Sequence, residues 1–599
     1  MKNRIKRAIA LLLTAVMLFT LLTGCAAPLG RTAADRASGQ SSGQSSGRSS
    51  GGSSGKSGGN HGSAPTTEDP LIGFEDIERP NMVPYPEMPV EVYDRAGIDA
   101  VIDELLALIK SGGNDEAVKA AYEAGLIEID KLYNSYALWN NLYYSDYSNE
   151  EAQENSNELS TLYSKVADAF LLALRQVLES EYGDMMETYI DDEEFSEYVR
   201  EYEKTPDEVF DLMDENNEIV NEYQAVVNDE SMETADVQTK CAEVYLSLLD
   251  NLIAQNAYDG NYETYSEYIY TDAYNRDYTL EDSETLHQLV KEKIVPLYND
   301  FVSIVYDNYS VYSSFYYTEF DESEIMSKLD SVTEEIGPVY QKALDFMQEY
   351  GLYDISYSDK KLDFGYTITL PYYYASFIFD KPSGSYNDME TMIHESGHFY
   401  ANYVNPMHAL LEEDNLDVAE IHSQGLEVLM LEHAAEIYGD DQADIATAVI
   451  LMNMLSAVVD VCVFDEFQTK ALQARMDGTL NTAQDVVDLF HEVEDAYGAY
   501  LTWGDSWYYV SHTYESPFYY MSYATSALAA LDILAIAEEN RQDGINVYNA
   551  VVKGGFSIGF REDLTANGLY DVFTEDGMDA VCEGIVSKMG DISLNDKAA

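Results

Sequence analysis

The chain has 599 residues and a formal charge of −76, from 109 Asp and Glu against 33 Lys and Arg. Such a field repels phosphate and excludes nucleic-acid binding as a function class, while it can draw cationic peptides toward a cleft on an otherwise acidic, salt-tolerant surface. Apart from Cys25 only Cys241, Cys462 and Cys582 occur, an odd number with no CxxC, so neither a disulfide framework nor a thiolate metal site is indicated.

At the N-terminus, Lys2, Arg4, Lys6 and Arg7 form a basic region ahead of an apolar run over residues 8–22, and Leu22-Thr23-Gly24-Cys25 resembles a bacterial lipobox. We expect a lipoprotein signal peptide over residues 1–24, with Cys25 lipidated and the mature chain anchored to the bacterial cell membrane on its extracytoplasmic side. Once this run is removed, no other stretch is expected to span a bilayer. Residues 25–68 are expected to be a flexible tether. Positions 39–63 are almost entirely Gly and Ser and cannot bury a core, and His61 within them reads as inert.

Residues 69–89 are punctuated by proline and read as an extended lead-in. From about Ile98 the pattern is helical nearly throughout, with apolar residues at helical spacing over 101–110, 158–178, 236–256, 285–309 and 451–476. No repeat of fixed period appears. The expected division is an N-terminal helical region over 69–360 and a catalytic region over 361–599. Residues 362–370 and 373–379 alternate and are rich in aromatic and branched side chains, which predicts two short strands. A hairpin that only packs under the next helix is one reading of them, and an edge that borders a cleft is the other.

That helix carries the string His394-Glu395-Ser396-Gly397-His398, an HExxH motif, in the stretch that holds seven of the nine histidines. Residues four apart share a helix face, so His394 and His398 can offer imidazole nitrogens to one zinc ion, with Glu395 beside it as general base on a water held there. Asn387 or Asp388 is expected to cap the helix start, and Pro406 to mark its limit. A second helix is expected over 416–438, closing at Gly439. Its Glu420 suits a His, His, Glu ligand set that leaves one zinc position open, and Glu427, two turns on, can accept a hydrogen bond from a ligand imidazole. His422 points away from Glu420 and reads with His433 as a core or surface residue. His491 lacks the second His of a motif, since Asp495 stands there, and reads as structural.

Three blocks together resemble the oligoendopeptidase F and thimet oligopeptidase group of zinc metallopeptidases: ITLPYYYASFIFDKPSGSYNDMETMIHESGHFY, VAEIHSQGLE, and HTYESPFYYMSY over residues 512–523. Many relatives carry a His where Ala401 stands here, but that residue is not a zinc ligand. The resemblance covers about the last 240 residues and implies a mainly α, zincin-like (gluzincin) fold, with helical lobes around a deep cleft and a small β-sheet beside the HExxH helix. It implies one Zn2+ per chain, a strand bordering the cleft that binds extended peptide through its backbone, and short unstructured peptides as substrates. It also implies that the third block completes the active site. A Tyr hydroxyl or His N–H there can stabilise the oxyanion, with Tyr523 the first choice, His512 assisting, and Tyr519 or Tyr520 the alternatives that contact substrate. A monomer is expected. The competing expectation is a surface lipoprotein that kept the scaffold and binds peptide without turnover.

Overall fold

The computed structural model describes residues 69–594, apart from 192, 203–206, 228, 230, 260–261, 275, 363–364, 412–414 and 556–558. The expected signal peptide, Cys25 and the tether lie outside the described residues. The fold is mainly helical with one small sheet, as the sequence led us to expect.

Helices α1 (Ala96–Ser111), α2 (Asp115–Ser145) and α3 (Glu150–Leu178) open the fold. Asn114 and Asn149 stand just before α2 and α3, and their side chains accept from the backbone N–H of Ala117 and Ala152, which satisfies donors the helix starts leave unpaired. Two further long helices, α4 (Asp207–Val227) and α5 (Thr234–Asp259), pack on each other. The sheet follows, with β1 (Tyr353–Asp354), β2 (Tyr366–Leu370) and β3 (Ala375–Phe379) in the order β1-β3-β2.

Central β3 runs parallel to β1 and antiparallel to β2, with Tyr366 opposite Phe379 and Leu370 opposite Ala375. Every residue of β3 is buried, while β2 alternates between buried and half-buried. Both strands begin later than expected; β3 does so because Pro371–Tyr373 form a 3-10 turn and Tyr374 takes a left-handed φ of 50°, which reverses the chain before Ala375. The two-residue β1 has too little pattern to be read from sequence.

Beyond the sheet the chain is built from α6 (Asn387–Val404), α7 (Leu416–Met430), α8 (Ala443–Met476), α9 (Met521–Glu539) and α10 (Arg541–Gly554). The expected caps of α6 are corrected. Neither Asn387 nor Asp388 stands at the N-cap, which is Tyr386, and the Asp388 carboxylate instead accepts from Ser383 N, Ser383 Oγ and Gly384 N in the preceding turn. The far limit holds, since α6 ends at Val404 and Asn405 caps it just before Pro406. The expected single helix over 416–438 is also corrected. It breaks after Met430 into a 3-10 turn, Leu431–His433, and a short helix, Ala434–Tyr438. The Arg541 guanidinium takes the Leu429 carbonyl at 2.6 Å, an acceptor the continuing helix would have used.

One continuous hydrophobic core runs from Leu71 to Leu594 and includes residues on both sides of position 360. The Tyr163 hydroxyl of α3 donates to the Ala409 carbonyl at 2.9 Å, and Tyr223 of α4 stacks on Tyr514 with ring centres 3.9 Å apart. The expectation that no stretch beyond the signal could span a membrane is corrected as to length and composition, because α8 and α9 are both long and apolar enough. Their apolar windows are 94% and 89% buried inside the protein, so they serve as core helices.

Candidate metal centre and cleft

Helices α6 and α7 cross so closely that a Cβ at Gly397 would overlap the His422 carbonyl oxygen and lie 2.7 Å from the Cα of Ser423. The crossing brings the predicted ligands together: one ligand atom from each of His394, His398 and Glu420 lies within 4.8 Å of the others. Glu420 Oε2 is 3.2 Å from His394 Nε2 and 3.5 Å from His398 Nε2. Zinc bonds of about 2.0–2.2 Å in a tetrahedron separate ligand atoms by roughly 3.3–3.6 Å. Two imidazoles and a carboxylate at this spacing therefore fit a zinc ion.

His394 and Glu420 are held from behind. His394 Nδ1 pairs with Glu427 Oε1 at 2.5 Å, which turns Nε2 toward Glu420. Ser423 Oγ donates to Glu420 Oε2 at 2.9 Å and fixes that carboxylate, a contact sequence reading missed although Ser423 lies one turn beyond Glu420. Burial alone would raise the Glu420 carboxyl, but the His398 and His394 imidazoles hold it well below its usual range.

Glu395 is fully buried on the same face of α6. Its Oε2 accepts from the Thr367 hydroxyl of β2 at 2.7 Å, while Oε1 is buried with no hydrogen-bond partner among the described residues. Burial pushes this carboxyl up, a shift that His394, His398 and Thr367 oppose. The strand thus reaches the site through a side chain, a role that alternation alone cannot signal.

A cleft beside these groups is lined by Glu390, His394 and Glu395 of α6, Gln424 and Glu427 of α7, residues Ile450 to Ala457 on one face of α8, and Tyr520 and Tyr523. Of the four third-block candidates, Tyr523 and Tyr520 therefore line the cleft that His394 and Glu395 also line. His512 sits between the rings of Tyr519 and Tyr520, with centres 5.5 and 5.2 Å away, and meets Tyr523 edge-on at 5.8 Å; neither His512 nor Tyr519 is among the residues lining the cleft. Burial lowers the His512 pKa.

This block is held by a buried knot that sequence reading also missed. Arg276 Nη2 donates to the Phe518 carbonyl and to Ser522 Oγ, each at 3.0 Å, and its Nε faces Asp417 Oδ2 at 3.3 Å in the first turn of α7. Asp417 Oδ1 also accepts from the hydroxyls of Tyr278 and Thr525. Phe518 has a φ of 65°, unusual for a side chain of its size, and is gripped on both sides, since its N–H donates to Gln468 Oε1.

His422 is buried away from the ligand atoms, its pKa lowered to about 3 by burial and then by His398. His433 pairs with Glu335 and Glu436, and His491 faces Asp505 at 3.5 Å, all outside the site. Cys241, Cys462 and Cys582 are free thiols.

No family model matches the chain, and none of the curated proteins does. Solved structures do. The chain has the mainly helical fold of the oligoendopeptidase F structures. A structure described as a putative oligoendopeptidase F is matched over 86% of this chain and 100% of its own, at 20% identity and a TM-score of 0.71. PZ peptidase A with an inhibitor is matched over 85% and 99%, at 18% identity and a TM-score of 0.70. A putative oligoendopeptidase F from Bacillus anthracis str. Ames is matched over 87% and 100%, at 17% identity and a TM-score of 0.69.

Proposed function

We propose that the protein is a zinc-dependent endopeptidase that hydrolyses short, unstructured oligopeptides, and that a lipid on Cys25 holds it, as a monomer, at the outer cell surface. In this reading residues 1–24 are the signal peptide, 25–68 the tether, 69–360 the helical region and 361–599 the catalytic region. The convergence of His394, His398 and Glu420, with Glu395 buried beside them, carries the reading. The solved structures that share the fold support it, because several are described as peptidases.

A zinc ion held by the three ligands would supply a Lewis acid that polarises the scissile carbonyl and acidifies water. Glu395 takes a proton from the attacking water at its unengaged Oε1, while Thr367 steadies Oε2, and then delivers the proton to the leaving amine. Tyr523 offers its hydroxyl to the developing oxyanion from the cleft wall it shares with Tyr520, and the His512 ring braces both.

The test is zinc content by mass spectrometry together with hydrolysis of quenched fluorescent peptides. The expected result is about one zinc per chain, activity abolished by chelation and restored by zinc, and a Glu395→Gln protein that keeps zinc and peptide binding but loses hydrolysis. Wild-type hydrolysis in Glu395→Gln overturns the assigned base. Peptide binding without hydrolysis in the wild type replaces the enzyme reading with a peptide-capturing lipoprotein. Loss of membrane retention in Cys25→Ala tests the anchor.

A further inference from the structure

The cleft lining includes the acceptors of Glu390, Gln424 and Asn453 beside an apolar wall, and no Lys or Arg among the described residues. Of its three lining carboxylates, Glu427 is engaged by His394 and Glu395 is the proposed base, so Glu390 is the acid with no assigned part in the mechanism. Glu390 stands one helical turn before His394 on the same face of α6, and one of its oxygens accepts from the Tyr438 hydroxyl.

Two neutral amides point the same way. Gln424 is 8% exposed and lines the cleft, and its Oε1 is buried with no partner among the described residues. Asn453 donates its Nδ2 to Tyr386 Oη at 3.2 Å, which leaves Oδ1 likewise buried without a donor. Buried acceptors of this kind are costly unless something supplies protons to them. Ile450, Met454 and Ala457 of α8 form an apolar wall of the same cleft. Burial, then the nearby Glu427 carboxylate, pushes the Glu390 carboxyl well above its usual range, a bias that a cation at the site would relieve.

We propose that this end of the cleft is a subsite for a basic side chain of the substrate, Lys or Arg: the methylene stem lies on Ile450, Met454 and Ala457, and the charged head is received by Glu390, Gln424 Oε1 and Asn453 Oδ1. A long cationic side chain is the common residue type that combines an apolar stem with several donors and no acceptor. The apolar wall alone would accept norleucine as readily. The acceptors make the difference, because an uncharged, donor-free side chain leaves them buried and unpaired.

The inference rests on the peptidase reading for its substrate, and one experiment separates the two. Matched quenched peptides carrying Lys or norleucine at each position around the cleaved bond are compared by kcat/KM, with cleavage sites mapped by mass spectrometry. Binding of non-cleavable versions, N-methylated at the scissile amide, is followed by anisotropy. At one position the wild type should favour Lys over norleucine by about tenfold, and Glu390→Gln should bring that ratio close to one. Asn453→Asp, which adds a carboxylate, should raise it. Efficient hydrolysis with no Lys preference at any position, or a preference unchanged in Glu390→Gln, overturns the subsite and leaves the peptidase standing. Lys-selective binding that is lost in Glu390→Gln, in a protein that cleaves nothing, supports the subsite and sinks the peptidase. Neither hydrolysis nor selective binding overturns both.

Discussion

The carbonyl oxygen of His422 occupies the space that a side chain at Gly397 would need. The two helices that carry His394, His398 and Glu420 can therefore meet this closely only with glycine at that crossing. Gly397→Ala should push α7 away from α6 and pull Glu420 out of register with the two imidazoles. We expect a stability loss of about 1–3 kcal/mol and a far larger loss of zinc retention, measured by denaturant unfolding and by metal content after dialysis.

Glu427 orients His394 through a 2.5 Å contact to Nδ1. Glu427→Ala should leave the three ligands in place yet weaken zinc affinity by roughly 10–100-fold, read by competition with a calibrated chelator. Unchanged affinity would show that the imidazole needs no brace.

The Thr367 hydroxyl holds one oxygen of Glu395 at 2.7 Å. Thr367→Val keeps the branched shape of a strand residue and removes the donor. The expected result is a drop in kcat of about tenfold with KM little changed, since the hydroxyl acts on the proton-transfer group; general-base assistance as a whole is worth about 10²–10⁴-fold. A change confined to KM would place Thr367 on the substrate instead.

Arg276 and Asp417 have side chains 0% and 1% exposed, so removing one partner strands a charge in the core. Arg276→Met should cost about 3–5 kcal/mol in urea unfolding. It should also release Phe518 from its left-handed conformation and lower activity through Tyr520 and Tyr523. An Arg276→Met, Asp417→Asn double variant should recover part of the stability but not the activity.

Asp532 is fully buried in α9, where burial pushes its carboxyl up to about 7 while the Tyr570 N–H opposes the shift. The folded protein binds this proton more tightly than the unfolded chain, whose Asp titrates near 4. The carboxyl therefore costs nothing below about pH 4, costs progressively more as pH rises to about 7, and costs a constant amount above that. Asp532→Asn should raise the thermal midpoint at pH 8 and leave it nearly unchanged at pH 4.

The convergence of His394, His398 and Glu420 was legible because the periodicity is local: His394 and His398 share a turn, and Glu420 and Glu427 share a face two turns apart. What the sequence hid depends on contacts distant in the chain. Asp388 looks like a cap, but its carboxylate is taken by the Ser383 turn, and the 416–438 pattern stays periodic through a break that Arg541, more than a hundred residues on, imposes on Leu429. The apolar runs of α8 and α9 read by composition alone do not reveal whether lipid or protein surrounds them. Glu390 and Gln424 carried a usable signal, each lying four residues from a ligand on the same helix face. Arg276 carried none, since nothing in its neighbourhood points to Phe518 or Asp417.

Helix α7 presents Glu420, Gln424 and Glu427 in a row down one side, so a single rigid rod carries the carboxylate of the candidate His, His, Glu group, the partner of the His394 imidazole and part of the cleft lining. These properties cannot be tuned separately by changes that rotate or slide that rod. Redesign of the cleft is accordingly better begun at Asn453, which belongs to α8, a helix that carries none of His394, His398 and Glu420.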